Sequence, residues 1–253
     1  MRQNKRAFGG AGIAPLLTDL LFPRRCPVCD RPVRPFGALI CPECERQLHR
    51  ISADVCPKCG REVFGRRARL CPDCAGAGHL YDRGCAVFTY RSAAAALYRF
   101  KYQHRAEYAQ YFGLRMAQRM EEVFDLPYLL RKRAVIIPVP ASADRVKERG
   151  YDQAVLLART ISQLTGLPVA ENVLIRTRST AAMKNIRGRE RYKNLKNAFI
   201  VHGNDVRFRV IMLIDDIYTT GSTLDACAAA LRRAGASAVY CVCLAIGESY
   251  YDE

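Results

Sequence analysis

Long apolar runs are missing from this 253-residue chain. No stretch approaches the roughly twenty residues that a membrane-spanning helix needs, so no membrane insertion is expected. No secretory leader is expected either. The apolar stretch Ile13–Phe22 is broken by Pro15, Thr18 and Asp19 and lacks a small-residue cleavage site before Cys26. It reads as a short amphipathic helix, and a cytoplasmic location is expected. Acidic side chains are scarce: 24 Asp and Glu stand against 40 Lys and Arg, a net charge of +16. That balance suits a polyanionic partner, whether nucleic acid, an anionic membrane surface or a phosphate-rich ligand, although a solvated basic surface would carry the same charge. Core-forming residues are not lacking. Half the chain is apolar, enough for one large domain or a medium domain with a small one.

Cysteine is abundant and patterned. Eight of the twelve form CPxC knuckles, Cys26/Cys29, Cys41/Cys44, Cys56/Cys59 and Cys71/Cys74, each starting fifteen residues after the previous one. Two thiolates from each of two knuckles close a tetrahedral zinc site, so eight make two sites; disulfides fit poorly with CxxC spacing in a chain for which no leader is expected. Equal spacing leaves the pairing open. Knuckles one and three share a following Arg and Val (Arg31 and Val33; Arg61 and Val63), which implies a repeat of about thirty residues with one ribbon each. On that basis Cys26, Cys29, Cys41 and Cys44 hold one zinc, and Cys56, Cys59, Cys71 and Cys74 the other, with a cross-braced pairing of knuckles one and three as the alternative. Histidine numbers only four. His49 and His79, close to the knuckles, are expected at the surface because thiolates already fill both sites. Cys85, Cys227, Cys241 and Cys243 read as small buried hydrophobes.

Beyond the knuckles the chain alternates. Strands are expected at Gly84–Tyr90, Val135–Val139, Val169–Ile175, Phe199–His202, Val210–Ile214 and Ala238–Ile246. Helices are expected at Ser92–Tyr102, Ala106–Phe124, Gln153–Leu164 (with Asp152 as N-cap) and Leu224–Ala234. Tyr108, Phe112 and Met116 share a core-facing stripe. Ala141–Gly150 reads as a basic loop, and 176–197 as a mobile basic flap. Such alternation implies an α/β fold with a mostly parallel sheet, with residues 1–80 as helix and ribbons and 81–253 as the larger domain. The most telling segment is VIMLIDDIYTTGST, Val210–Thr223. An apolar strand hands over to Asp215 and Asp216, then to a small hydroxylated turn that opens a helix. Free amides at a helix N-terminus, a glycine and hydroxyls make a phosphate cradle, and adjacent acids accept from sugar hydroxyls. Together they point to a ribose 5-phosphate.

These residues, with LLFPRRCPVC near the start, PVPASADRVKERGYDQA in the middle and LIDDIYTTGST near the end, resemble the ComF family, over nearly the whole chain. The resemblance implies a double zinc ribbon joined to a type I phosphoribosyltransferase-like domain. Asp215 and Asp216 would then contact the ribose hydroxyls of phosphoribosyl pyrophosphate (PRPP), and Tyr218, Thr219, Thr220, Gly221, Ser222 and Thr223 would hold its 5-phosphate. Pro140, Ala141, Ser142, Ala143 and Asp144 match the pyrophosphate loop. Arg145 lies just beyond it, and Arg149, Gly150, Tyr151, Asp152 and Gln153 match a signature. Lys184 and Arg187 fall in the closing flap, and magnesium would bridge pyrophosphate and ribose oxygens. Two positions depart from the pattern: Asp152 replaces a usual Asn, and Met183 replaces a usual Gln. Two functions follow. One is a competence-type factor that binds single-stranded DNA, with Tyr151 and Tyr192 stacking on bases and a helicase as partner. The other is an active, amidophosphoribosyltransferase-like enzyme of nucleotide metabolism.

Overall fold

The computed structural model describes residues 23–35, 37–51, 54–63, 70–177, 198–203, 206–207 and 209–248. The expected helix Ile13–Phe22 and most of the flap, including Met183, Lys184, Arg187 and Tyr192, lie outside them.

Four parallel strands form the main sheet in the order β1 (Arg83–Thr89), β6 (Ala238–Ile246), β5 (Val210–Tyr218), β2 (Val135–Pro138). Ile137 pairs with Leu213 on one side of β5, and Cys241 pairs with that same residue on the other. β5 is therefore central and apolar on both faces, as a strand covered by helices must be. Its even residues Met212 and Ile214 join a core with Phe100, Leu157 and Ile161. Its odd residues Ile211 and Leu213 join a second core with Leu224, Cys227 and Leu231. Helices α3 (Tyr90–Tyr102), α4 (Tyr108–Val123) and α7 (Gln153–Thr165) contribute to the first core, and α8 (Ser222–Arg233) to the second.

The short pair β3 (Leu174–Arg176) and β4 (Phe199–Val201) is antiparallel and separate from the main sheet. The sequence pattern predicts a strand over Val169–Ile175. Val169 instead makes a single parallel bridge to Ile136, and the chain turns before β3 begins. The basic loop expected over Ala141–Gly150 is corrected as well. Residues Ala143–Arg149 form a helix, α6, with Ser142 at its N-cap and Gly150 ending it at φ 81°. Its charged side chains are good helix formers, and their charge, taken as a loop signal, masked that propensity. The short helices α1 (Pro42–Glu45), α2 (Pro72–Gly76) and α5 (Leu126–Arg131) complete the set.

Tyr108, Phe112 and Met116 are buried on one stripe of α4, as their spacing predicts. The crossing of α4 and α7 is close. A Cβ on Gly113 would lie 2.5 Å from Thr160 Cβ. Gly113→Val is therefore expected to destabilise the chain by about 1–3 kcal/mol through overpacking. Thermal melting checks this, and an unchanged midpoint would show that the helices part freely. Among the described residues no helix is long and apolar enough to cross a membrane.

Candidate metal centres and phosphosugar site

The knuckles fold as tight turns. Each first cysteine carbonyl accepts from the amide four residues on: Asp30 N–H to Cys26 and Gly60 N–H to Cys56, each at 2.9 Å. Cys41 and Cys71 precede prolines that open α1 and α2, a position where proline loses no helix bond. The sulfurs gather into two groups, Cys26/Cys29/Cys41/Cys44 and Cys56/Cys59/Cys71/Cys74, each with all its ligand atoms within 4.8 Å of one another. The sequential pairing is thus the one the fold makes, and the cross-braced alternative is not. Zn–S bonds of about 2.3 Å in a tetrahedron place sulfurs about 3.8 Å apart, and Cys59 Sγ lies 3.7 Å from Cys71 Sγ. Cys44 is pushed up to about 12 by burial with the Cys29 and Cys26 sulfurs beside it. Such packed thiols ionise together only around a cation. Both clusters fit zinc. Cys85, Cys227, Cys241 and Cys243 are buried apart from them, as small hydrophobes.

Both ribbons are built into the larger fold. Cys26 and Cys44 share the core of α3 and α4, and Cys56, Cys59, Cys71 and Cys74 share that of β5 and α8. Tyr108 Oη donates to the Cys26 carbonyl at 3.2 Å and to Asp30 at 2.7 Å, and Arg99 donates to the Val28 carbonyl at 2.7 Å.

At the carboxyl end of β5 the strand runs further than expected. It carries Asp215 and Asp216 within it and ends at Tyr218. Strand alternation then sends the two acids to opposite faces. Asp216 meets α3, where Lys101 Nζ lies 2.8 Å from its Oδ2, both side chains largely buried. Asp215 lies toward Cys227 of α8 and Arg176 of β3, both of which it influences electrostatically. Desolvation and the Asp216 charge push Asp215 up to about 8, while the Asp216 amide and Lys101 pull the other way. A carboxyl raised in the fold binds its proton more readily than in the unfolded chain, so it contributes stability at low pH that is lost as pH rises from the ordinary carboxylate range through about 8. We expect the ligand-free chain to lose stability over that window and Asp215→Asn to flatten the loss. Parallel pH–melting curves for the two proteins would contradict the assignment.

The turn follows at once. Gly221, at φ 76°, is the N-cap of α8 and provides no side-chain cap to its first amides. A side chain there is excluded twice, since a Cβ would sit 2.5 Å from Tyr218 Oη and 2.9 Å from His79 Cε1. Thr220 Oγ1 and Ser222 Oγ are 2.9 Å apart, and Thr219 is exposed. The structure therefore brings together Asp215, Asp216 and the turn 218–223. Pro140–Asp144 lie beside them, because β2 pairs with β5 up to Pro138 opposite Ile214. Asp144 belongs to the first turn of α6, and Arg145 is exposed on that helix. Asp152 joins the loop to α7. One carboxylate oxygen accepts from Ala154 N–H at 2.9 Å as the helix cap, and the other from Ala141 N–H at 2.9 Å. An asparagine would offer only one such oxygen, so the departure at Asp152 has a structural use.

Three signature residues point elsewhere. Arg149 is buried, donates to Gln153 Oε1 at 2.6 Å and lies over the Tyr102 ring at 5.2 Å. Gln153 is buried with it. Tyr151 packs on Phe100 with its hydroxyl bonded to the Phe100 carbonyl, so the expected stacking of a base on Tyr151 is corrected. His79 is also corrected. It is not a surface residue: its side chain is 1% exposed and paired with Asp225 at 2.7 Å. The requirement that a buried imidazole find partners, met here by Asp225 and Tyr218, was not visible in the sequence. His49 is exposed as expected. Lys101 was missed altogether, since nothing local marks a lysine that meets Asp216 across the fold.

Comparison with known proteins agrees with the metal centres. Residues 17–75 match the family described as "Double zinc ribbon domain". The chain is 35% identical over 127 residues to "Competence protein F" of Haemophilus influenzae, covering 49% of this chain and 52% of that protein. It is 38% identical over 109 residues to "DNA utilization protein YhgH" of Escherichia coli K12, covering 43% and 48%. It is 32% identical over 154 residues to "Competence protein ComFC" of Bacillus subtilis, covering 60% and 59%. The chain thus spans about half the length of the curated relatives it matches. With its double zinc ribbon, the chain is thus similar to proteins named for competence and DNA utilization, as the resemblance to the ComF family implies.

Proposed function

We propose that this chain binds PRPP at the end of β5 and serves a competence-type role in handling single-stranded DNA. The observation that carries the pocket is the succession of Asp215, Asp216 and the glycine turn at the carboxyl end of a central parallel strand, with the loop after β2 alongside. Ligands of open α/β sheets sit at that end. The first-turn amides of α8 face the 5-phosphate, Asp215 and Asp216 take the ribose hydroxyls, and Pro140–Asp144 take the pyrophosphate. Asp215 and Asp216 each offer hard carboxylate oxygens of the kind magnesium prefers, so either would help hold a magnesium ion that arrives with the ligand. Bound there, magnesium would neutralise pyrophosphate charge. Lys101, already 2.8 Å from Asp216, holds that carboxylate in place before ligand arrives.

The DNA role is supported by the net charge of +16 and by relatives named for competence and DNA utilization. Stacking falls to Tyr98 and Tyr102 on α3, 57% and 47% exposed, with rings 5.2 Å apart beside Lys101. A helicase is the expected partner. Calorimetry with PRPP and magnesium tests the pocket, and anisotropy with a labelled single strand at low salt tests the DNA role. Heat of binding and a salt-dependent anisotropy rise are expected. A folded, zinc-loaded protein giving neither would end the proposal. Turnover is a separate question: pyrophosphate release in the presence of an amine acceptor would favour the enzymatic reading.

A further inference from the structure

The second zinc ribbon reaches the phosphate turn through buried polar side chains. Arg61, next after Gly60 in the third knuckle, is 7% exposed at its side chain and pairs with Asp73 of the fourth knuckle at 3.0 Å. The same guanidinium reaches the Thr219 carbonyl of the turn at 3.5 Å and donates to the carbonyl of Gly247, whose own amide donates to the Tyr218 carbonyl at 2.9 Å. Five residues after Cys74, His79 Nδ1 lies 2.7 Å from Asp225 Oδ2, and Leu80 N–H donates to Asp225 Oδ1 at 2.7 Å. Asp225 stands in the first turn of α8. With the proton on Nδ1, His79 Nε2 accepts from Tyr218 Oη at 3.3 Å, and Tyr218 Oη meets Tyr81 Oη at 2.9 Å. Gly221 rests directly on His79 and Tyr218.

The convergence is selective. The contacts end on the last residue of β5, the first carbonyl of the turn, the glycine, the first turn of α8, and Gly247, which is itself bonded back to Tyr218. Apolar side chains would close such an interface without the desolvation cost of buried ionic pairs. Directional groups fix position instead, and a phosphate-binding turn depends on where its amides point. We propose that Arg61 and His79 are positioning residues for the phosphate turn, so that the second zinc ribbon, once formed, holds the turn in its anion-accepting shape. This rests on the pocket reading above, and it adds a role for the ribbon that touches no ligand.

The test compares wild type with His79→Leu, His79→Gln, Arg61→Met and Arg61→Lys. Zinc content and melting temperature are measured for each, and calorimetry uses two probes: ribose 5-phosphate, which reads the turn, and inorganic pyrophosphate with magnesium, which reads the loop after β2. His79→Leu and Arg61→Met are expected to weaken ribose 5-phosphate binding on the order of tenfold, the loss of one charged or buried hydrogen bond. Their zinc content and pyrophosphate affinity stay at the wild-type level. His79→Gln, which still reaches Asp225 and Tyr218, recovers most of the loss, and Arg61→Lys recovers part. Wild-type ribose 5-phosphate affinity in the Leu and Met variants would overturn the inference while leaving the pocket reading intact. So would zinc loss or a parallel fall in pyrophosphate binding, which mark general damage. A wild-type protein that binds neither probe overturns both.

Discussion

Cys59→Ser is expected to leave the chain with half its zinc and to lower its melting temperature by about 10 °C or more. Structural zinc contributes on the order of 10 kcal/mol of folding free energy to small sites, and a few kcal/mol move the midpoint of a chain this size by roughly that much. Cys59 is 1% exposed, and its sulfur lies 3.7 Å from that of Cys71. The effect should spread beyond the ribbon. The next residue, Gly60, is so close to β1 that a Cβ on it would lie 2.6 Å from Cys85 Cα, and Lys58 accepts from the Gly84 amide at 2.6 Å. Losing this ribbon therefore removes one wall of β1 and the support beneath Tyr218. Full zinc content by chelator titration would show that Cys59 is not a required ligand, and an unshifted melt that this ribbon adds little to the fold.

Replacing both acids, Asp215→Asn with Asp216→Asn, is expected to weaken PRPP binding by about a hundredfold or more, since two hydrogen bonds to charged acceptors contribute roughly 1.5–3 kcal/mol each. Stability should move differently. Burial holds the Asp215 carboxyl well above its ordinary range, up to about 8, so its ionised form is strained in the empty fold. A neutral amide relieves that cost increasingly from the ordinary carboxylate range up to about 8 and fully above it, offset in part by loss of the Lys101–Asp216 pair. Weak binding together with a stable fold is the signature of residues kept for ligand rather than for packing. Unchanged affinity, measured by calorimetry in the presence of magnesium, would remove the acids from the site.

What was legible in the sequence follows a physical divide. The central strand was readable because five consecutive apolar residues fit only a sheet buried on both faces, and its glycine turn because Gly221 has no tolerated substitute at φ 76°. Zinc pairing could be read because repeat flanks broke the tie that spacing left. Local charge is a poor loop signal at α6, since Arg, Lys and Glu are soluble in either state and form helix well. β3 and β4, three residues each, are too short to show a period. Hardest of all were Lys101, His79 and Arg61. Their partners Asp216, Asp225 and Thr219 are far away in the chain, and a side chain's partner across a fold leaves no trace in the residues beside it.

Crystals grown with PRPP and magnesium put the central claim to its most direct test. The expected density shows the 5-phosphate against the amides of Thr219–Thr223, the ribose hydroxyls at Asp215 and Asp216, and pyrophosphate beside Pro140–Asp144. Density for the ligand elsewhere on the molecule, or an empty cleft at the end of β5 under saturating ligand, would contradict it.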